Sequence, residues 1–119
     1  MPQRIDIDGP DVDLTPSGLL LYRGELFTGE AVEYFEDGSL WTLETYTEGY
    51  KNGPTMQWFR DGTLEEQGQT RASIPVGEWT TWHANGRLRQ RTVFSGDGFV
   101  LNKLSEQQWD EEGNRISDE

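Results

Sequence analysis

Hydrophobic and polar positions recur along this chain every 24 residues. The segments 29–40, 53–64 and 77–88 superimpose position by position. Each opens with a glycine (Gly29, Gly53, Gly77) and carries an aromatic five positions later (Tyr34, Trp58, Trp82). Asp37, Asp61 or Asn85 follows, then Gly38, Gly62 or Gly86, then Leu40, Leu64 or Leu88. Tyr22, Tyr46 and Phe94 extend the same column, with Thr70 as its polar exception.

Each unit predicts a β-hairpin. An Asp/Asn-Gly pair between strand-like runs is the strongest short-range hairpin signal, because glycine takes the positive φ that the loop requires. A three-residue loop at Glu36-Asp37-Gly38 pairs Tyr34 with Leu40. Side chains alternate along a strand. Val32, Tyr34 and Leu40 therefore share a face, as do Met56, Trp58 and Leu64, and then Thr80, Trp82 and Leu88. Stacked, they predict one buried apolar stripe. The expected fold is all-β: an antiparallel β-meander of repeated 24-residue hairpins forming a single twisted, elongated sheet.

The opposite face carries Glu33, Phe35, Ser39 and Trp41, then Gln57, Phe59, Thr63 and Glu65, then Thr81, His83, Arg87 and Arg89. A mostly polar face with scattered aromatics is what an ordinary solvated sheet presents. It is also what a docking surface presents, with aromatics as anchors and acids setting the partner's charge. In that case the contact residues are Glu33, Phe35, Glu36, Asp37, Trp41, Phe59, Asp61 and Glu65. A register slip of one residue would exchange the two faces.

The chain is expected to be a single domain, 1–119. Residues 1–18 read as an acidic cap, with Ile5, Ile7, Val12 and Leu14 among acids and Gly9-Pro10 as a break. The repeats occupy 19–94, and 95–119 hold a degenerate C-terminal repeat and tail. That last unit centres on Trp109-Asp110-Glu111-Glu112-Gly113-Asn114, 27 rather than 24 residues on from its predecessor, and 117–119 are expected to be loose.

Only 33% of the chain is apolar, so the core must be thin, although fourteen aromatic residues give it bulk. The net charge is −12, with 14 acids against 4 bases in residues 1–66, a net of −10. Such a field repels nucleic acid and anionic membrane and attracts basic partners. It also serves simply to keep a small sheet protein soluble. Cysteine is absent, which excludes disulfides and thiolate chemistry and suits a cytoplasmic location. The start lacks the basic-then-apolar pattern of a secretory signal, and no apolar run is long enough for a membrane span.

Catalytic chemistry is poorly served. His83 is the single histidine and occupies the column of Phe35 and Phe59, so a strand-surface ring is expected. The acids show no pairing across a groove, and the glycines sit at hairpin spacing with no following Lys-Ser/Thr. Asp6, Asp8, Asp11 and Asp13 offer closely spaced oxygen ligands for calcium, but Pro10 interrupts the register that an EF-hand loop needs. A solvated acidic turn is the expectation, with no metal or other cofactor. Arg87, Arg89 and Arg91 alternate and are expected to point one way and to pair with acids on neighbouring strands.

The third unit, Gly77-Glu78-Trp79-Thr80-Thr81-Trp82-His83-Ala84-Asn85-Gly86-Arg87-Leu88, resembles the Gly-x-Trp-x-x-aromatic-x-x-Asn-Gly-x-Leu pattern of MORN-like repeats, in the variant typical of the YwqK antitoxin family. The resemblance covers residues 19–94, with Pro54 and Thr70 as departures. It implies a meander of hairpins and a non-enzymatic role, the neutralisation of a cognate protein toxin such as a nuclease. MORN-type repeats also occur in scaffolds and in membrane-associated proteins. A repeat scaffold for protein–protein contact is therefore the alternative, and the acidic charge disfavours a lipid surface. Open sheet edges leave room for self-association.

Overall fold

The computed structural model describes residues 3–96 and 101–118, and all regular structure in them is β. Twelve strands form two sheets. They are β1 (Gln3–Asp6), β2 (Val12–Leu14), β3 (Leu20–Tyr22), β4 (Glu25–Leu26), β5 (Gly29–Tyr34), β6 (Leu40–Thr47), β7 (Tyr50–Trp58), β8 (Leu64–Arg71), β9 (Ile74–Trp82), β10 (Leu88–Phe94), β11 (Lys103–Trp109) and β12 (Arg115–Asp118). The large sheet runs β1-β5-β6-β7-β8-β9-β10-β11-β12, and β2-β3-β4 make the small one. From β5 to β12 the order is the antiparallel meander that the repeat predicts.

The expectation of a single, wholly antiparallel sheet is corrected at the N-terminal end. There β1 joins β5 in parallel, and β3 and β4 pair with β2 instead of opening the meander. Tyr22, which extends the aromatic column in the sequence, thus sits in the small sheet.

One turn repeats four times and sets each hairpin's register. The amide of Phe35 donates to the Ser39 carbonyl at 2.8 Å, and that of Gly38 to the Phe35 carbonyl at 2.9 Å. Phe59/Thr63 with Gly62, His83/Arg87 with Gly86, and Asp110/Asn114 with Gly113 repeat both bonds. The four loop glycines have φ between 87° and 92°, the left-handed region that glycine enters without steric cost. Asp37, Asp61 and Asn85 each accept the amide two residues on at 2.9 Å. The expected pairs Tyr34–Leu40, Trp58–Leu64 and Trp82–Leu88 all form.

Beyond each turn the pairing slips by one residue, a β-bulge. Glu33 pairs with Thr42 and Tyr34 with Leu40, which leaves Trp41 as the extra residue. Glu65, Arg89 and Ile116 are its equivalents. A bulge re-phases the strand beyond it. Leu43 therefore stands opposite Val32, and Met56 opposite Leu43, on the face of Tyr34. Glu33, Thr42, Gln57, Glu66, Thr81, Gln90 and Gln108 form one cross-strand row on the other face. The expectation that Arg87, Arg89 and Arg91 point one way fails here. Arg91 pairs across from Thr80 and reaches Glu78 at 2.6 Å.

The aromatic row lies on one face as expected but is not a closed core. Tyr34 is 44% exposed, and Trp58 and Trp82 are half-buried, because no second layer covers the meander. Burial concentrates instead at the N-terminal end, where Ile5, Leu20, Phe27, Ala31 and Tyr46 cluster with Ile7, Val12 and Tyr22 against them. Burial, with Glu44 adding to it, pushes the Tyr46 hydroxyl up to about 12. A Cβ on Gly29 would stand 2.3 Å from the Gln3 carbonyl oxygen and 2.9 Å from the Phe27 ring, so this position is closed to any side chain.

At the C-terminal end, hairpin three grips the turn of hairpin four. His83 Nε2 bonds the Trp109 carbonyl at 2.8 Å, Asn85 Nδ2 donates to that of Glu111 at 2.7 Å, and Arg87 donates to that of Glu112. The extra residues of the last unit fall between Phe94 and Lys103, where 97–100 lie outside the described residues. Of the tail expected to be loose, Ser117 and Asp118 pair with β11 and residue 119 lies outside the described residues.

Gly29→Ala is expected to cost about 2 kcal/mol or more of stability, since strand backbone and a core ring must both shift, and urea unfolding measures it. Ala72 and Ser73 form a two-residue turn with φ of 50° and 71°, a conformation that L-residues resist. Ala72→Gly should therefore raise the urea midpoint, worth about 0.5–1 kcal/mol, without changing the slope.

Hydroxyl and amide bonds from Ser39 hold the Asp37 carboxyl below its usual value, and those from Thr63 do the same for Asp61. A depressed folded pKa stabilises the fold above the unfolded value of about 3.9, and the effect is lost as pH falls through the folded one. Carboxyl 13C titration should show both groups ionising below the ordinary aspartate value of about 3.9.

Candidate functional site

Five of the eight residues expected to bind a partner gather at one end of the polar face. The Phe35 and Trp41 rings stack with centroids 5.4 Å apart and planes 24° apart. They meet because the bulge turns Trp41 back beside the residue that opens the turn. The Arg60 guanidinium, from the second turn, lies 5.1 Å over the Phe35 ring. Glu33 stands behind this stack and accepts the Thr42 hydroxyl at 3.4 Å. Phe59 is half-buried at the head of the second turn, and Glu65 occupies the second bulge, where it accepts Gln57 Nε2 at 3.0 Å.

Glu36, Asp37 and Asp61 sit apart from this group on the exposed turns. Asp37 also accepts the Ser39 hydroxyl at 2.6 Å, and Asp61 that of Thr63 at 2.7 Å. Their carboxylates order the loops. They remain solvent-facing charges at one end of the sheet.

The sequence missed Glu66. Simple alternation places it on the aromatic face with Leu64, but the Glu65 bulge carries it to the polar one, opposite Gln57 and Thr81. Burial first, then the neighbouring Glu65 and Glu44 carboxylates, push its pKa above the ordinary glutamate value. Glu44 is ion-paired with Lys51 at 2.7 Å, whereas Glu33, Glu65 and Glu66 have no ion-pair partner among the described residues. The out-of-phase Leu43, an apolar residue where alternation wants a polar one, is the signal that could have revealed the bulge.

Farther along, Trp79 lies flat over Gly68, where an added Cβ would come within 2.2 Å of the ring. Its Nε1 donates to the Gln69 carbonyl at 3.0 Å, and Phe94 meets it edge-on at 6.5 Å. The polar face therefore holds two aromatic clusters with free carboxylates between them.

The other candidate chemistry is differently disposed. His83 is half-buried and engaged with the next hairpin. Asp6 accepts the Asp8 amide at 2.9 Å as a local turn, and Asp11 faces Arg23 at 3.6 Å. Among the described residues no three His, Cys, Asp or Glu side chains are grouped to hold a metal ion.

A family model described as a MORN repeat variant matches residues 27–48 and 75–95. These are the first hairpin to the end of β6, and the third from β9 through β10. No curated protein and no solved structure matches the chain. In these two segments the chain is similar to MORN-type repeats. Repeats of this kind suggest a scaffold for protein interaction, and the two matches do not single out the YwqK antitoxin family.

Stacked aromatic pairs are worth about 0.5–1.5 kcal/mol beyond their burial. Trp41→Ala is therefore expected to destabilise the fold by at least about 1 kcal/mol, with loss of protection confined to the first hairpin in hydrogen exchange.

Proposed function

We propose that this protein is a non-catalytic binding module that docks a basic protein partner on the polar face of its meander. The observation that carries this reading is the pair of half-buried carboxylates, Glu65 and Glu66, lacking cationic partners among the described residues and set between the Phe35–Trp41 and Trp79–Phe94 aromatic pairs, with a third such carboxylate, Glu33, behind the first pair. Unpaired charge at a half-dry surface is costly in the free protein, and a complementary cation relieves it. Aromatics beside such charges supply the apolar area that anchors an interface.

In its finer form the partner is a toxin, and docking neutralises it as an antitoxin or immunity protein does. A basic nuclease suits the net charge of −12, since an acidic sheet covers a phosphate-binding surface. The protein then acts in the cytoplasm without itself touching nucleic acid or membrane. The coarser form, a repeat scaffold, needs the same face and a partner with no toxic activity.

Co-expression with the product of the adjacent gene should restore growth that this product alone arrests. The purified pair should associate at a rate that falls steeply with added salt. Trp41→Ala with Phe59→Ala should weaken the pair about tenfold or more while far-UV circular dichroism stays that of a sheet. Unrescued growth with a stable, non-toxic complex would select the scaffold form. Absence of any complex would defeat both.

A further inference from the structure

At the second aromatic cluster the polar face is indented by a pocket of about 170 Å³, lined by Glu66, Trp79, Thr81, Gln90, Thr92 and Phe94. It spans β8, β9 and β10, and its walls are fixed. Trp79 cannot sink, because it already rests on the Gly68 backbone, and its indole is tied to Gln69. Phe94 braces it edge-on. The volume falls below the roughly 300–1,000 Å³ of pockets that enclose drug-sized ligands. A single side chain fits.

The polar groups in this pocket are unequal in kind. Gln90 spends its amide hydrogens on the Thr92 hydroxyl at 3.0 Å and on Glu106 at 3.1 Å. The Glu66 carboxylate has no hydrogen-bond or ion-pair partner among the described residues. The Thr81 Oγ1 is buried without a partner among the described residues. A buried polar atom left unmatched costs about 1–3 kcal/mol, so its occurrence calls for something that satisfies it. What the site offers beside its aromatic walls is an acceptor-only carboxylate and a hydroxyl that can also accept, which suits a ligand that is all donor at its tip and apolar along its stem. Glu44 and Glu65 add negative potential from the flank and exclude an anion.

We infer that this pocket receives one lysine or arginine side chain of the docked partner, its cationic tip against Glu66 and Thr81 and its methylenes against Trp79 and Phe94. Lysine and arginine are the side chains with donors and no acceptor, and both favour an aromatic face. The inference deepens the docking reading and takes from it the protein nature of the partner.

The test titrates the intact, 15N-labelled protein with the peptide acetyl-Gly-Lys-Gly-amide and with its norleucine counterpart, which keeps the stem and lacks the charge. Saturable shifts at the Trp79 indole N–H, Thr81 and the Gln90 side chain, with the lysine peptide only, are expected. Glu66→Gln should weaken that binding about tenfold, one charge-assisted contact's worth. Thr81→Val, which keeps the shape, should weaken it less, and Glu25→Gln, at the far sheet, not at all. Shifts that never saturate, or an equal loss in Glu25→Gln and Glu66→Gln, would reduce the effect to general attraction and overturn the proposal.

Against the protein partner, undiminished affinity of Glu66→Gln beside a large loss in the Trp41/Phe59 variant would refute the pocket and leave the docking surface standing. Lysine-peptide binding with no protein partner would do the reverse.

Discussion

Every placement of a side chain in this protein depends on one pair of backbone hydrogen bonds. The Phe35 amide reaches the Ser39 carbonyl, and the Gly38 amide returns to that of Phe35. Those bonds close the first loop on three residues and so decide that Tyr34 faces Leu40. Because strands alternate with a period of two, a loop one residue longer would present the opposite face. Repeating the pair at Phe59, His83 and Asp110 gives four hairpins whose equivalent residues stand in rows. The acids and the asparagine that brace these loops are local devices, and their cost to the net charge is borne at solvent-exposed positions.

A sheet without a second layer has to find its stability unevenly. The small sheet covers one end, and there Leu20 and Val32 are wholly buried. In the middle the ladder is left with half-buried side chains on both faces. Trp58 and Trp82 shield their neighbours there but cannot be enclosed. At the far end the grip of His83, Asn85 and Arg87 on the next turn takes the place of a core. Repeat proteins commonly close their ends with atypical units for this reason. The two caps here use different physics, apolar burial at one and side-chain-to-backbone bonds at the other.

This division explains what could be read from the sequence. Loop type, hairpin pairing and strand order are set by local rules at Asp37-Gly38, Asp61-Gly62 and Asn85-Gly86, and the pairing of Tyr34 with Leu40 is legible in them. Burial is not local. Nothing near Tyr34 says that no layer will cover it, and nothing near Val12 or Leu20 says that they will pair into a separate sheet instead of extending the meander. The bulges are intermediate. Trp41, Glu65 and Arg89 occupy one column of the repeat, yet their residue types differ, and the insertion shows only in the phase of the strand residues beyond it. Pro54, the departure in the middle unit, sits where β6 and β7 lose their regular pairing, a place that tolerates a missing amide hydrogen.

The same bulge that hides Glu66 from a reading by alternation also gives the polar face its chemistry. Had β8 continued in phase from Leu64, Glu65 would take the place opposite Gln57, and Glu66 would fall on the aromatic face opposite Met56. The slip at Glu65 places two adjacent carboxylates on one side, Glu65 against Gln57 and Glu66 toward Thr81. Burial, and after it the like charge of Glu65, raises the free energy of the Glu66 carboxylate, which is seen in its upward shift. A fold selected for stability alone would gain by replacing either one with glutamine, as already stands at Gln57, Gln90 and Gln108 in the same row. The carboxylate at Glu66 is a cost to the isolated chain, and in the docking proposed above a cation brought by a partner would turn that cost into binding energy.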